Sequence, residues 1–333
     1  MAKAIMISSS FATALSEDVG ERSGLSIDHA TLVHHLGDCS VFGDAFVTEE
    51  RLLRVDLVDY ADVVGDLLFA LGTVEKPGMP TLGTRLINSL GRELAMTMDI
   101  DRLLTVEAVA DHALRKMQPT GILDREFLRN EVNEIMGAFA RRVLDALEEV
   151  MPYHLAFHPA FTQDTDVTTQ VELARLFASE RLPEAGTFFD QRFVNYLSAN
   201  PEKLDAIHWR QFEALAAEWL QRKGYDVELG PGRNDGGVDV RAWNAPDDRS
   251  MPPAIIVQCK RQRGRVGKVI VKSLWADVYA EKAASGLVVT TSDLSRGATG
   301  VINARAYPVT VANGSQVKKW ITAMRKPAAG VVL

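Results

Sequence analysis

From about residue 204 the chain switches from long helical periodicity to short strands separated by helices. HWRQFEALAAEWLQRKGY (208–225) carries an amphipathic helical pattern, with Gly224 suited to end it. YDVEL (225–229) alternates as a strand does, and GPGRNDGG (230–237) is dense in turn residues. VDVRAW (238–243), AIIVQCK (254–260), GLVVTT (286–291) and PVTVA (308–312) read as four further strands. Helices are expected at 266–283, 294–305 and 315–325. The predicted order is α-β-β-β-α-β-α-β-α, which specifies an α/β domain with a mixed sheet flanked by helices.

Residues 1–200 read differently. Helical spacing is expected over 50–71, 81–98, 104–117, 124–150 and 168–180, with the breaker KPGMP at 76–80. The stretch 124–150 carries an apolar stripe of Phe127, Val132, Ile135, Phe139, Val143 and Leu147, with Asp124 as its cap. The expected organisation is a mainly α-helical domain at 1–185 and a linker at 186–203. A mixed-sheet domain at 204–326 and a tail at 327–333 complete it.

The net charge of −7 hides a split between these halves. Residues 201–333 hold 20 Lys and Arg against 13 Asp and Glu, whereas residues 1–200 hold 17 against 31. Such asymmetry suggests that the C-terminal half meets a polyanion. There is no apolar run of 18 or more residues, so no membrane span is expected, and the first residues make a poor signal peptide. Two cysteines far apart, Cys39 and Cys259, offer neither a disulfide framework nor zinc-finger spacing, which fits a reducing cytoplasm.

Several polar residues break the apolar strands. Asp239 lies between Val238 and Val240 after the glycine-rich turn. Gln258 and Lys260 stand two apart on the next strand and so share a face. If the two strands are neighbours, Asp239, Gln258 and Lys260 meet at one edge, and Glu213 joins them from the first helix. Asp239, Glu213 and the carbonyl of Cys259 suit a hard cation such as Mg²⁺, for which Mn²⁺ can substitute. Lys260 would orient water and stabilise charge on a phosphate. Gln258, being neutral, would bind the cation less strongly than a carboxylate. Asp235 reads first as a turn residue and second as a support behind the ligands. Arg261, Arg263, Arg265, Lys268 and Lys272 follow the site as a basic run suited to DNA phosphates. Glu218 reads as a plain surface acid.

The runs FEALAAEWLQRKGYDVELGPGRNDGGVDVRAW, IIVQCKR and GLVVTTSDLS together resemble the catalytic domain of the Mrr-like restriction endonucleases. This is the branch of the PD-(D/E)xK nucleases that reads D…QxK. The resemblance covers about 120 residues and implies a restriction-endonuclease-like core, a divalent metal, double-stranded DNA as substrate and a role in restriction of foreign DNA. Carried over, it marks Glu213, Asp239, Gln258 and Lys260. The insert at 244–253 departs from the pattern, and residues 1–200 do not match the winged-helix DNA reader often attached to this family. Duplex cleavage by such folds implies a homodimer or larger assembly. The alternative is a catalytically weak or inactive nuclease-fold module that binds DNA under control of the helical domain.

Overall fold

In a computed structural model of the chain, the described residues are 3–39, 50–75, 77–78, 82–91, 97–98, 100–117, 122–155, 170–178, 188–232, 237–244 and 249–326. Packing divides the chain into two units, with the boundary between Val171 and Glu172.

The N-terminal unit contains β1 (Lys3–Ile7), α1 (Ser8–Ser23), α2 (His29–Cys39), β2 (Leu52–Asp56) and α3 (Leu57–Ala70). These are followed by α4 (Leu82–Leu90), α5 (Ile100–Met117), α6 (Arg125–Met136) and α7 (Ala140–Leu155). Its helical character is as expected, with local differences, among them that the helix expected over 81–98 ends at Leu90 and that Thr97 and Met98 are not helical. The helix expected over 50–71 starts only at Leu57, because Leu52–Asp56 pairs antiparallel with Lys3–Ile7. Hydrophobic spacing over six residues cannot distinguish a strand from the first turns of a helix. The single helix expected over 124–150 is interrupted at Gly137, whose φ of 53° leaves the helical region. Glycine tolerates that conformation. The two segments on either side share one core, in which Val132, Met136, Val143 and Leu147 are buried. Asp124 caps α6 as expected, accepting from the Phe127 amide at 2.9 Å.

The C-terminal unit begins with α8 (Leu173–Ala178) and α9 (Gln191–Ala199). It continues with α10 (Trp209–Arg222), β3 (Asp226–Leu229), β4 (Val240–Trp243) and β5 (Ile255–Lys260). Then come α11 (Lys268–Glu281), β6 (Ser285–Thr290), α12 (Arg296–Arg305), β7 (Val309–Ala312) and α13 (Gly314–Met324). The sheet order is β3-β4-β5-β6-β7, antiparallel from β3 to β5 and parallel from β5 to β7. This is the mixed sheet that the order of patterns predicts. Two β-α-β units pack α11 and α12 through Ile256, Val271, Leu274, Val278, Val288 and Ala298. Trp219 of α10 and Trp320 of α13 stack with centroids 5.1 Å apart.

The stretch 186–203 was expected to be a linker, but its described part is helical and packed. Phe193, Val194, Tyr196 and Leu197 of α9 are buried, and Phe189 stacks on Phe193 at 5.2 Å. Within the same stretch Pro201 opens a 3₁₀ turn, where a missing amide proton costs nothing. Glu218 is also unlike its expectation. It is 2% exposed, and its carboxylate accepts from Arg222 Nε at 2.7 Å and from the Phe188 and Phe189 amides at 2.9 and 3.3 Å. Arg222 in turn donates to the Met324 carbonyl and to Gln191 Oε1. Asn195 closes the network on the backbone of Lys326. Because α10 is covered on more than one side, a polar residue there is buried and must find partners within the protein.

Candidate active site

Asp239 sits just before β4, where three backbone ties hold it. Its carbonyl accepts from Gly230 N at 2.8 Å, its amide donates to the Val257 carbonyl at 2.9 Å, and its carboxylate Oδ2 accepts from the Cys259 amide at 2.5 Å. The residue is 6% exposed. A buried carboxylate keeps its charge at lower cost where backbone amides donate to it and cations lie close.

On the adjacent β5, Gln258 and Lys260 share a face by alternation with Ile256, which is anchored in the α11–α12 core. Gln258 is 4% exposed, and its Oε1 has no hydrogen-bond partner. Its amide nitrogen lies where a Cβ on Gly237 would stand 3.1 Å away, and Gly237 has a φ of 97°. Glycine at 237 therefore serves both the backbone turn and the close approach of Gln258. Lys260 is half-buried, and its carbonyl accepts from Thr290 Oγ1 at 2.7 Å. Thr290 is fully buried on β6, so the neighbouring parallel strand fixes the end of β5.

Glu213 comes from α10, which begins with the His208 side chain accepting from the Arg210 amide. Glu213 is 5% exposed, and its Oε2 accepts from Arg210 Nη1 at 2.9 Å. The charges of Glu213, Asp239 and Lys260 all act on the buried Cys259 thiol. Burial pushes that thiol well above its ordinary range, Asp239 and Glu213 push it further, and Lys260 opposes them. The Cys259 amide thus ties Asp239 to β5, the strand that carries Gln258 and Lys260, and Glu213 stands on α10, which packs against β4 and β5. Asp235 lies outside the described residues.

Apart from the buried Cys259 thiol, the donors these residues offer are oxygens: two carboxylates, the Gln258 amide oxygen and the backbone of β5. That set fits a hard divalent cation, and the orphaned Gln258 Oε1 is the atom such an ion or its water would satisfy. Among the described residues no group of three or more His, Cys, Asp or Glu side chains is disposed to hold a metal, so an ion here would draw on amide and backbone oxygens besides the carboxylates.

Arg261, Arg263, Arg265, Lys268 and Lys272 are all exposed, on the loop after β5 and the first turns of α11. Gln262 and Thr291 bond reciprocally, and Ser292 Oγ donates to the Gly264 carbonyl, so β6 braces this loop. A cavity of about 260 Å³ lined by Asp205, Arg261, Gln262, Arg263 and Thr291 opens beside it. Sequence reading missed Arg210 and Thr290. The i, i+3 spacing of Arg210 and Glu213 was a usable signal for the first. The Thr290 contact depends on the parallel register and had none.

Comparison with known proteins finds similarity over part of the chain. A curated relative, the uncharacterized protein y4cE of Sinorhizobium fredii (strain NBRC 101917 / NGR234), is 30% identical over 95 residues. That match spans 28% of this chain and 24% of y4cE, about a quarter of the relative's length. The solved structure of MspJI restriction endonuclease in complex with a 27-mer oligonucleotide aligns at 22% identity and a TM-score of 0.30. It covers 45% of this chain and 34% of that one. The family model Mrr_cat, described as a restriction endonuclease, matches residues 204–321, a span running from just before α10 into α13. Residues 204–321 thus match the restriction endonuclease family that this model describes.

Proposed function

We propose that the C-terminal unit is a divalent-metal-dependent endonuclease that hydrolyses DNA phosphodiesters. The observation that supports this reading is the bond from the Cys259 amide to the buried Asp239 carboxylate, on the strand that also carries Lys260 and the partnerless Gln258 oxygen. Asp239, Glu213, Gln258 and the Cys259 carbonyl would hold Mg²⁺ or Mn²⁺. When bound, such a cation neutralises phosphate charge and makes water easier to deprotonate. Lys260 supplies a second positive charge at the strand end, where it orients the attacking water and stabilises the phosphate as charge builds. The exposed basic residues from Arg261 to Lys272 draw the DNA backbone toward that end by counterion release.

A single site of this kind cuts one strand, so duplex cleavage calls for a second copy of the chain. The acidic N-terminal half repels DNA, which suits it to control or assembly rather than to gripping the duplex. Restriction of incoming DNA in the cytoplasm is the role that joins these features. The test is nicking of supercoiled plasmid with Mg²⁺ or Mn²⁺. Asp239→Ala and Lys260→Ala should each lower the rate at least about 100-fold with the fold intact by circular dichroism. Full activity in a pure Asp239→Ala preparation refutes the reading.

A further inference from the structure

Arg210 is the remaining charged group built into the site. Its side chain is 12% exposed and pairs through Nη1 with Glu213, itself 7% exposed at the side chain, across 2.9 Å. It also lies under the glycine-rich turn. A Cβ on Gly232, which has a φ of 84°, would stand 2.9 Å from Arg210 Nη1 and 3.1 Å from its Cζ. Arg210 therefore occupies a space that only glycine leaves open, between the helix bearing Glu213 and the turn leading to Asp239. With Lys260 it brings the fixed charge of the site to two positive groups against two carboxylates.

We propose that Arg210 is an exchangeable counterion: it neutralises Glu213 while no divalent cation is bound, and so sets how tightly the site takes one up. The proposal rests on the metal-dependent reading above. Two physical arguments support it. A buried carboxylate left without a cation is costly, so Glu213 needs a positive partner before the metal arrives. Once a divalent ion lies on the same carboxylate, the guanidinium is a like charge at short range, and binding must overcome that repulsion. Arg210 thus competes with the metal for Glu213. In this respect it differs from a positioning group such as Thr290, whose loss would only loosen the site.

The test is Mn²⁺ binding by isothermal calorimetry on the full chain, comparing wild type, Arg210→Gln and Asp239→Ala. Thermal melts of the same proteins would be recorded in EDTA and in Mn²⁺. Arg210→Gln is expected to bind Mn²⁺ about tenfold more tightly than wild type, from removal of one near charge in a partly screened site. It should also melt lower than wild type in EDTA and show the larger rise on adding Mn²⁺. Arg210→Lys, which keeps the charge, should stay close to wild type in affinity. Unchanged or weaker Mn²⁺ binding in Arg210→Gln, with a wild-type site that Asp239→Ala abolishes, overturns this inference and leaves the nuclease reading standing. No Asp239-dependent Mn²⁺ site in wild type overturns both.

Discussion

Glu218→Ala tests whether the network behind α10 holds the C-terminal unit together. The carboxylate accepts from Arg222 and from two backbone amides, and it is 2% exposed, so truncation leaves three donors without their acceptor. Removing one partner of a buried ion pair costs about 3–5 kcal/mol. Arg222 is 23% exposed at its side chain and keeps the Met324 carbonyl and Gln191 as acceptors, which places the loss at about 3 kcal/mol. All five tryptophans lie within residues 172–327, so intrinsic fluorescence follows this unit alone. With a urea m-value of about 2 kcal/mol/M for a unit of this size, the midpoint should fall by about 1.5 M. Glu218→Gln keeps an oxygen for Arg222 and should lose about half as much. Because α10 also carries Glu213, a loosened network should weaken Mn²⁺ binding as well. A midpoint shift below about 0.5 M for Glu218→Ala would refute the reasoning, because a surface carboxylate behaves that way.

Replacing Arg261, Arg263 and Arg265 together by Ala should make the plot of log affinity for DNA against log salt shallower by about 2–3, since each phosphate contact contributes about 0.9. An unchanged slope in a fluorescence-anisotropy titration would remove this loop from the DNA interface. Asp277 on α11 has its pKa raised by burial and by the charge of Glu281, with Arg241 opposing. A carboxyl whose folded-state pKa exceeds its unfolded value destabilises the protein above the folded pKa. That cost disappears as pH falls below the unfolded one. Asp277→Asn should therefore raise the melting temperature at pH 7 by about 1–2 °C, with the gain vanishing below about pH 4. A loss of stability at pH 7 would show that attraction to Arg241 outweighs burial.

Much of the C-terminal domain is legible in residue order alone. Period-two runs, a glycine-rich turn and intervening helical patterns specify the sheet elements, and local spacing places Gln258 and Lys260 on one face. Adjacent strands in an α/β domain then bring Asp239 to the same end, which is why a candidate set could be proposed from the sequence. The family match over 204–321 has the same origin, since it too is read from the linear pattern. Tertiary structure decided the partners. The pairing of Lys3–Ile7 with Leu52–Asp56, the bracing of the Lys260 carbonyl by Thr290 and the bonds from the Phe188 and Phe189 amides to Glu218 all join residues far apart in the sequence. The same is true of the seat of Arg210 beneath Gly232, where a side chain fits only because the facing residue lacks one. Periodicity records which face of an element is buried. Which charged group a buried acid meets depends on distances between elements, and those are set only when the whole unit packs.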